Sequence, residues 1–367
     1  MKNVNLVVGA GISGATIANL LANNLNEKVL IIDKRNHIGG NCHDYKDKNG
    51  ITIHSYGSHI FHTSDEKVWN YVNKFTEFNQ NKHKVLAEIN NIKTPIPFNF
   101  NSLKDLFPKD FATKLEKKIL EKFKYSSKIP ILEFQNQDDE DLKFIADFIY
   151  QNVFLNYTLK QWGFSPENLD KSVTSRVPVY ISQDNNYFQD KFQGIPKLGY
   201  TNLINKMLDN HNIEIRLNTD FKDLKENFKR IFYTGSIDEF FNYEYGVLPY
   251  RSVKFKLEEY DKEFYQENAV INYPNTEKYT RIHEYKYYLQ EKSQKTVIAK
   301  EYSENFELGK NDRYYPIPRD ENNDLYSKYL EKAKSYSNLY FLGRLGDYKY
   351  YDMDKAILRA FEVFKLL

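Results

Sequence analysis

The chain opens on an unbroken apolar run, followed by apolar residues spaced three and four apart and then by a second apolar run. "VNLVVGAGISGATIANLLANNLNEKVLIID" therefore predicts a buried strand from Val4 to Val8, a glycine turn, a helix through Leu25, and a strand from Lys28 to Ile32 that ends at Asp33. From Phe111 to Tyr157 the period is helical throughout, with Phe111, Leu115, Ile119 and Phe123 on one face, then Leu142, Ile145, Ile149 and Val153. Elsewhere the period shortens to two. "KVLAEINNIKTPIPF" predicts a hairpin turning at Asn90 and Asn91, and the runs "SVKFKLEEY", "TRIHEYKYY" and "KTVIAKEY" between residues 250 and 302 predict an antiparallel sheet. Near the C-terminus an apolar strand from Leu339 to Leu342 meets Gly343 and Arg344, and a helix follows from near Asp352 or Asp354. No internal repeat occurs, and the Lys- and Asn-rich tracts, "NQDDEDLK" among them, read as solvated loops.

At 367 residues the chain exceeds a usual single domain, and 41% hydrophobic with 16% aromatic residues can bury a sizeable core. Its 52 basic residues nearly cancel its 50 acidic ones, so no long-range field marks it for nucleic acid or a membrane surface. An anionic ligand must then be met locally, by individual arginines. The single cysteine, Cys42, excludes an internal disulfide and argues against a thiolate zinc site. With neither a leader-like N-terminus nor an apolar run near 18 residues, a cytoplasmic protein is expected.

Gly9, Gly11 and Gly14 form G-x-G-x-x-G where the first strand meets the first helix. That geometry needs one glycine for the tight turn, one where a pyrophosphate approaches the backbone and one where helix and strand pack closely. The helix N-terminus supplies N–H groups and partial positive charge to the phosphates. Asp33, about 20 residues on, stands where a carboxylate accepts from a ribose hydroxyl. Strand, glycines, helix, strand and acid in register point to dinucleotide binding, against the blander reading of Asp33 as a solvated strand end. "DKRNHIGGN", with Lys34, Arg35, Gly39, Gly40 and Asn41, resembles the second flavin-contacting loop of FAD-dependent oxidoreductases, although an ordinary glycine turn looks similar. Flavoproteins of this class close the cofactor domain with a strand, glycine and helix like those after Leu339. The cofactor domain is therefore expected to be discontinuous.

His59 and His62, in "YGSHIFHTSDEKVWNYV", stand three apart and read as metal ligands, an acid and base, or packing residues. A metal would require a third ligand and a partner carboxylate, and neither is evident in the sequence.

"GSHIFHT", "NYTLKQWG", "SRVPVY", "NNYFQDKFQGIPKLGYT", "INYPNTEKYTRIHEYKY", "YYPI" and "GRLGDYKYYDMD" follow in that order. Together they closely resemble the UDP-galactopyranose mutase family through nearly the whole chain. The resemblance implies an α/β fold in which a Rossmann-like FAD-binding domain (1–60, 190–240 and 335–367) carries a helical domain (100–170) and an antiparallel β-sheet domain (83–97, 171–189 and 241–330). It implies interconversion of UDP-galactopyranose and UDP-galactofuranose for cell-surface glycans, with FAD in its reduced form as cofactor and its N5 as nucleophile at the anomeric carbon. Tyr157 and Trp162 would face the uracil, and Arg176 and Arg281 would clamp the diphosphate, for which guanidinium is suited by its fixed charge and paired donors. Tyr187, Tyr315 and Tyr350 would donate phenolic hydroxyls to it. Phe188 and Asn272 would line the nucleotide and sugar region, and Asp352 would hold the tyrosine and arginine network. Gly9, Gly11, Gly14, Asp33, Lys34, Gly39, Gly40, Asn41, His59, Gly343, Arg344, Asp352 and Met353 would bind the cofactor. His62, with the two arginines, is expected among the catalytic residues, tuning the flavin edge, and His59 is expected to support it. The implied partners are UDP-galactose or UDP, a cellular reductant and a second copy of the chain, with no nucleic acid and no membrane insertion. Asp33 replaces the more usual Glu, and "QNQDDED" departs from the family pattern. Three alternatives remain open: a flavin-dependent amine oxidase, a non-catalytic nucleotide-sugar binding protein, and a mutase acting on N-acetylated UDP-galactopyranose.

Overall fold

In a computed structural model, residues 1–80 and 82–367 are described, with Ser172 described by its backbone alone. Contacts divide the chain into two compact units, neither of them contiguous. Met1–Asn81, Asp190–Tyr250 and Arg313–Leu367 form the first, and Lys82–Gln189 with Arg251–Asp312 form the second.

The first unit is organised by a five-stranded parallel sheet in the order Ile213–Arg216, Val29–Ile32, Asn5–Val8, Ile231–Tyr233, Leu339–Phe341. Leu6 sits opposite Leu30 on one side and Ile231 on the other. Helices cover such a sheet, which is why the first two strands read as continuous apolar runs rather than alternating ones. On one face Leu6, Leu30, Ile32 and Phe228 pack into a cluster. The first helix, Ile12–Asn24, begins and ends within a residue or two of its expected limits, and the final helix runs Met353–Phe364 with Asp352 at its N-cap. A short helical turn, Gly343–Gly346, follows the last strand and was not foreseen. Ile213–Arg216 and Ile231–Tyr233 were not foreseen either, because four and three residues are too few to show a period.

The second unit holds the helices and most of the mainly antiparallel sheet that were expected as separate domains. Its strands follow the order Tyr250–Tyr260, Thr296–Asn305, Arg281–Glu284, Val270–Asn272, Val85–Ile89, Ile92–Ile96. One pairing corrects the antiparallel expectation: Val270–Asn272 runs parallel to Val85–Ile89. The hairpin turns where expected, with Asn90 at φ 52° and Asn91 at φ 64°, the left-handed pair that a two-residue turn requires and that Asn tolerates. Ile271, Tyr273, Ile282 and Ile298 form a core beneath the sheet. The helical region contains Phe100–Leu106, Lys109–Lys122 and Glu140–Ile149, after which a π-helical stretch, Tyr150–Leu155, leads into Asn156–Trp162. Residues 163–178 contain turns of helix at Pro166–Asn168 and Lys171–Thr174. Val179–Tyr180, expected within the large sheet, pairs with Lys128–Ile129 instead. Among the described residues no helix is long and apolar enough to cross a membrane.

Candidate functional site

The glycine turn of the first unit separates into parts required by the chain and a part that is not. Gly9 has φ 104°, and a Cβ there would lie 2.0 Å from Thr234 Oγ1. A Cβ on Gly14 would lie 1.9 Å from the Gly9 carbonyl oxygen, so the close helix–strand approach is fixed by backbone atoms. Gly11 is different: its φ is −82°, and a Cβ would meet nothing nearer than Gly40 Cα at 3.6 Å, an ordinary contact. Gly39 and Gly40 have φ 99° and 54°, and Gly39 bridges to Gly11, so the two glycine loops lie side by side. The first helix has no side-chain cap at Gly11 and carries no acidic residue in its first turn, which leaves the positive end of its dipole uncompensated by side chains. Open glycine backbone beside a helix N-terminus fits a diphosphate. The glycines expected from sequence therefore have a physical reason to suit a dinucleotide.

Asp33, 8% exposed, accepts from Ala10 N–H at 2.9 Å and Arg35 N–H at 2.9 Å. The carboxylate thus ties the strand end to the glycine loop, with further lone pairs left to accept from a hydroxyl. Arg35 donates to Asn41 Oδ1 at 3.0 Å and lies 4.2 Å over the Tyr56 ring, while His37 stacks on His43 at 3.8 Å. This bracing of residues 35–43 was invisible in sequence, because its members are ordinary loop residues until folded. Lys34, by contrast, is exposed and stands 3.8 Å from Glu239. Gly343, at φ 88°, packs against Ser13, where a Cβ would come within 3.1 Å of Oγ. Cys42 donates its S–H to Met353 Sδ at 3.5 Å, and burial pushes its thiol up to about 12, so it stays protonated.

The two histidines divide. His59 Nδ1 is 2.7 Å from the Gly57 carbonyl oxygen, its ring packs edge-on to Tyr200, and burial pushes it down to about 3. It stays neutral. His62, on the strand Phe61–Thr63, stands between carboxylates, with Nδ1 2.8 Å from Asp190 Oδ2 and Nε2 3.9 Å from Asp352 Oδ2. Nearby, Arg344 donates to the Tyr351 carbonyl oxygen at 2.9 Å and lies 5.3 Å and 5.0 Å over the rings of Tyr315 and Tyr350, themselves edge-to-face at 5.0 Å. Guanidinium over two ring faces holds both phenol rings in place.

In the second unit, Arg281 opens the strand Arg281–Glu284 and faces Asn272 across the pairing. Its Nε donates to Glu301 Oε1 at 3.1 Å, and Glu301 also takes His283 Nε2 at 2.8 Å and Thr280 Oγ1 at 3.2 Å. Burial alone would raise this carboxyl, but Arg281, His283 and Thr280 together hold it down to about 2. Arg281 is thus aimed before any ligand arrives, by a glutamate that the sequence did not single out. Asn272, 9% exposed, keeps its Oδ1 without a hydrogen-bond partner, an acceptor awaiting a donor. Tyr157 is half-buried on Asn156–Trp162, whereas Trp162 is 4% exposed and packs as part of the helix end, which differs from the open stacking face expected of it. Arg251 seals that end, donating from Nε to the Gln161 carbonyl oxygen at 2.8 Å and from Nη2 to that of Lys160 at 3.0 Å. Lys160 reaches the other way, to the carbonyl oxygens of Tyr273, Glu277 and Tyr279, and burial pushes its ammonium down to about 8. Arg176 is exposed just beyond Lys171–Thr174. Tyr187 and Phe188 lie edge-to-face at 4.9 Å, both against the ring of His83.

Comparison with known proteins places these residues in context. Residues 152–350 match the family described as UDP-galactopyranose mutase, and residues 7–75 match an NAD(P)-binding Rossmann-like domain. A Klebsiella pneumoniae protein named "Probable UDP-galactopyranose mutase" is 41% identical over 98% of this chain and 94% of its own length. An Escherichia coli dTDP-fucopyranose mutase is 39% identical over 99% of this chain and 98% of its own. A Mycoplasma genitalium UDP-galactopyranose mutase is 38% identical over 96% and 92%. Among solved structures, a reduced UDP-galactopyranose mutase aligns over 100% of this chain and 93% of its own at TM-score 0.74 and 15% identity, a likeness of fold. A putrescine oxidase aligns over 100% and 98% at TM-score 0.59 and 11% identity, again a likeness of fold alone.

Proposed function

Since this chain belongs to the UDP-galactopyranose mutase family, we propose that it binds FAD, works with the flavin reduced, and interconverts UDP-galactopyranose and UDP-galactofuranose. The observation that carries this reading is the 41% identity over 98% of the chain. When bound, reduced FAD supplies a nucleophilic N5 for the anomeric carbon. The chain's own residues supply orientation and charge. Gly11, Gly39 and Gly40 give the diphosphate of FAD an open backbone, and Asp33 offers the ribose an acceptor. Arg281, already held by Glu301, meets the diphosphate of the substrate without reorganising, while Arg176 joins it from an exposed segment. Asn272 Oδ1 accepts from the nucleotide or sugar, and Tyr315 and Tyr350 supply phenols as donors. Reaction geometry, more than a protein nucleophile, is what the protein contributes.

The test is chromatography of UDP-galactofuranose after incubation with purified holoprotein, with and without dithionite. Conversion only after reduction is expected, and no conversion in either arm would overturn the reading. A second substrate is favoured by the 39% identity to a dTDP-fucopyranose mutase. That substrate adds a methyl group on the base and lacks the ribose 2′-hydroxyl and the sugar C6 hydroxyl. Running it in parallel decides between the two, and faster turnover of the dTDP-sugar would reassign the substrate while leaving the chemistry unchanged.

A further inference from the structure

His62 and Asp190 are 128 residues apart in sequence and 2.8 Å apart through Nδ1 and Oδ2. A carboxylate has no hydrogen to give, so this contact places the hydrogen on Nδ1. In the neutral ring Nε2 then holds the lone pair, and it stands 3.9 Å from Asp352 Oδ2, beyond hydrogen-bond length.

Asp190 is itself fixed. Ser64 Oγ donates to its other oxygen at 2.9 Å, and Gln193 Nε2 donates to its main-chain carbonyl oxygen at 3.1 Å. Gln193 is also the residue paired with His62 between the strands Phe61–Thr63 and Phe192–Gly194. The same pairing therefore positions imidazole and carboxylate together. Asp352, for its part, occupies the N-cap of the final helix yet makes no side-chain capping bond to it. A capping Asp stabilises the helix it starts. Here that contribution is forgone and the carboxylate is turned to within 3.9 Å of His62.

We infer that Asp190 is a positioning residue: it fixes His62 as the Nδ1–H tautomer, so that Nε2 is the atom that takes and returns a proton while the sugar ring is re-formed. The inference rests on the isomerisation proposed above. Going from a six- to a five-membered ring, the C4 oxygen loses its hydrogen as it enters the ring, and the C5 oxygen gains one as it leaves. No net proton, oxidant or reductant is consumed. A base with its lone pair presented can carry that hydrogen, whereas the opposite tautomer presents an N–H and cannot accept.

The experiment is a long-range ¹H–¹⁵N spectrum of histidine-labelled holoprotein, alongside turnover of the reduced enzyme. In the wild type, His62 is expected as Nδ1–H; an Nε2–H ring overturns the inference without any variant. Asp190→Asn keeps the shape but can donate its amide to Nδ1, so the ring is expected to switch to Nε2–H. Turnover should then fall about tenfold or more, with KM and bound chromophore changed less than about twofold. Asp190→Glu, which keeps the acceptor on a longer arm, is expected to retain Nδ1–H and recover part of the turnover. Lost turnover with the tautomer unchanged in Asp190→Asn, or a switched tautomer with turnover within twofold of wild type, overturns the role. The spectrum needs no substrate, so a wild type that isomerises no nucleotide-sugar counts against the proposed function separately.

Discussion

Of the three glycines after the first strand, Gly14 has a Cβ position 1.9 Å from a carbonyl oxygen, whereas at Gly11 the nearest atom is 3.6 Å away. The two substitutions should therefore fail differently. Gly14→Ala is expected to yield little folded protein, since backbone would have to move. Gly11→Ala should fold with a near-normal melting temperature and a reduced yellow chromophore, and Gly11→Val should lack it, because the side chain occupies space needed by phosphate. Absorbance at 450 nm against thermal melting, on the same samples, checks both. Glu301 invites a pH test. An ordinary Glu titrates near 4.5, and this one is held to about 2, so its contribution is fully present above 4.5 and is lost as pH falls toward 2. Glu301→Gln should be less stable than wild type near pH 6, with the difference closing between about pH 4.5 and 2, read by denaturant midpoints. The sequence made the glycine fingerprint legible, because each glycine stands at a fixed spacing with a local cause. Asp190 and Glu301 were not legible, since each acquires its meaning from a residue on another segment of the chain.

Elements were legible in proportion to their length and regularity. Lys109–Lys122 spans about four turns and was anticipated, while the segment from "GFSP" to "SQDNN" carries Gly, Ser, Pro and Asn signals that read as loop and hides two turns of helix. Arg176 lies in that segment, and a nucleotide-sugar that draws it inward would order the chain around it. Arg176→Ala is expected to lower turnover about tenfold or more with flavin content unchanged, and Arg176→Lys to recover only part, since an ammonium cannot make the paired contact. UDP should protect residues 165–185 from protease in the wild type and much less in Arg176→Ala; equal protection would reduce Arg176 to a static charge. A second element test concerns Lys160, whose ammonium draws together the carbonyl oxygens of Tyr273, Glu277 and Tyr279 between Asn272 and Arg281. Lys160→Met should strand those acceptors, at a cost of about 1–3 kcal/mol where they stay buried. Faster proteolysis within residues 273–279 and weaker UDP binding, with unchanged chromophore, are the expected readouts.

At the scale of the whole molecule, the reaction proposed is redox-neutral although the flavin must be reduced beforehand. Activity is expected only after reduction, with no reductant consumed per turnover, and equal rates from fully oxidised enzyme would remove the flavin from the chemistry. The order of strands in the parallel sheet carries a further consequence, one of time. Asn5–Val8 lies in the middle of that sheet, between strands drawn from residues 29–32 and 231–233, and the sheet closes only with Leu339–Phe341. Roughly 330 residues separate the first strand from the last, and a ribosome adding about 5–20 residues per second makes the first wait some tens of seconds for its sheet to be completed. For the last third or so of that interval, once Ile231–Tyr233 has been made, its outer edge is apolar with no strand yet beside it, the kind of surface to which other nascent chains adhere. Slowing translation should therefore lower the yield of soluble protein, the reverse of what is usual for chains whose domains finish one after another.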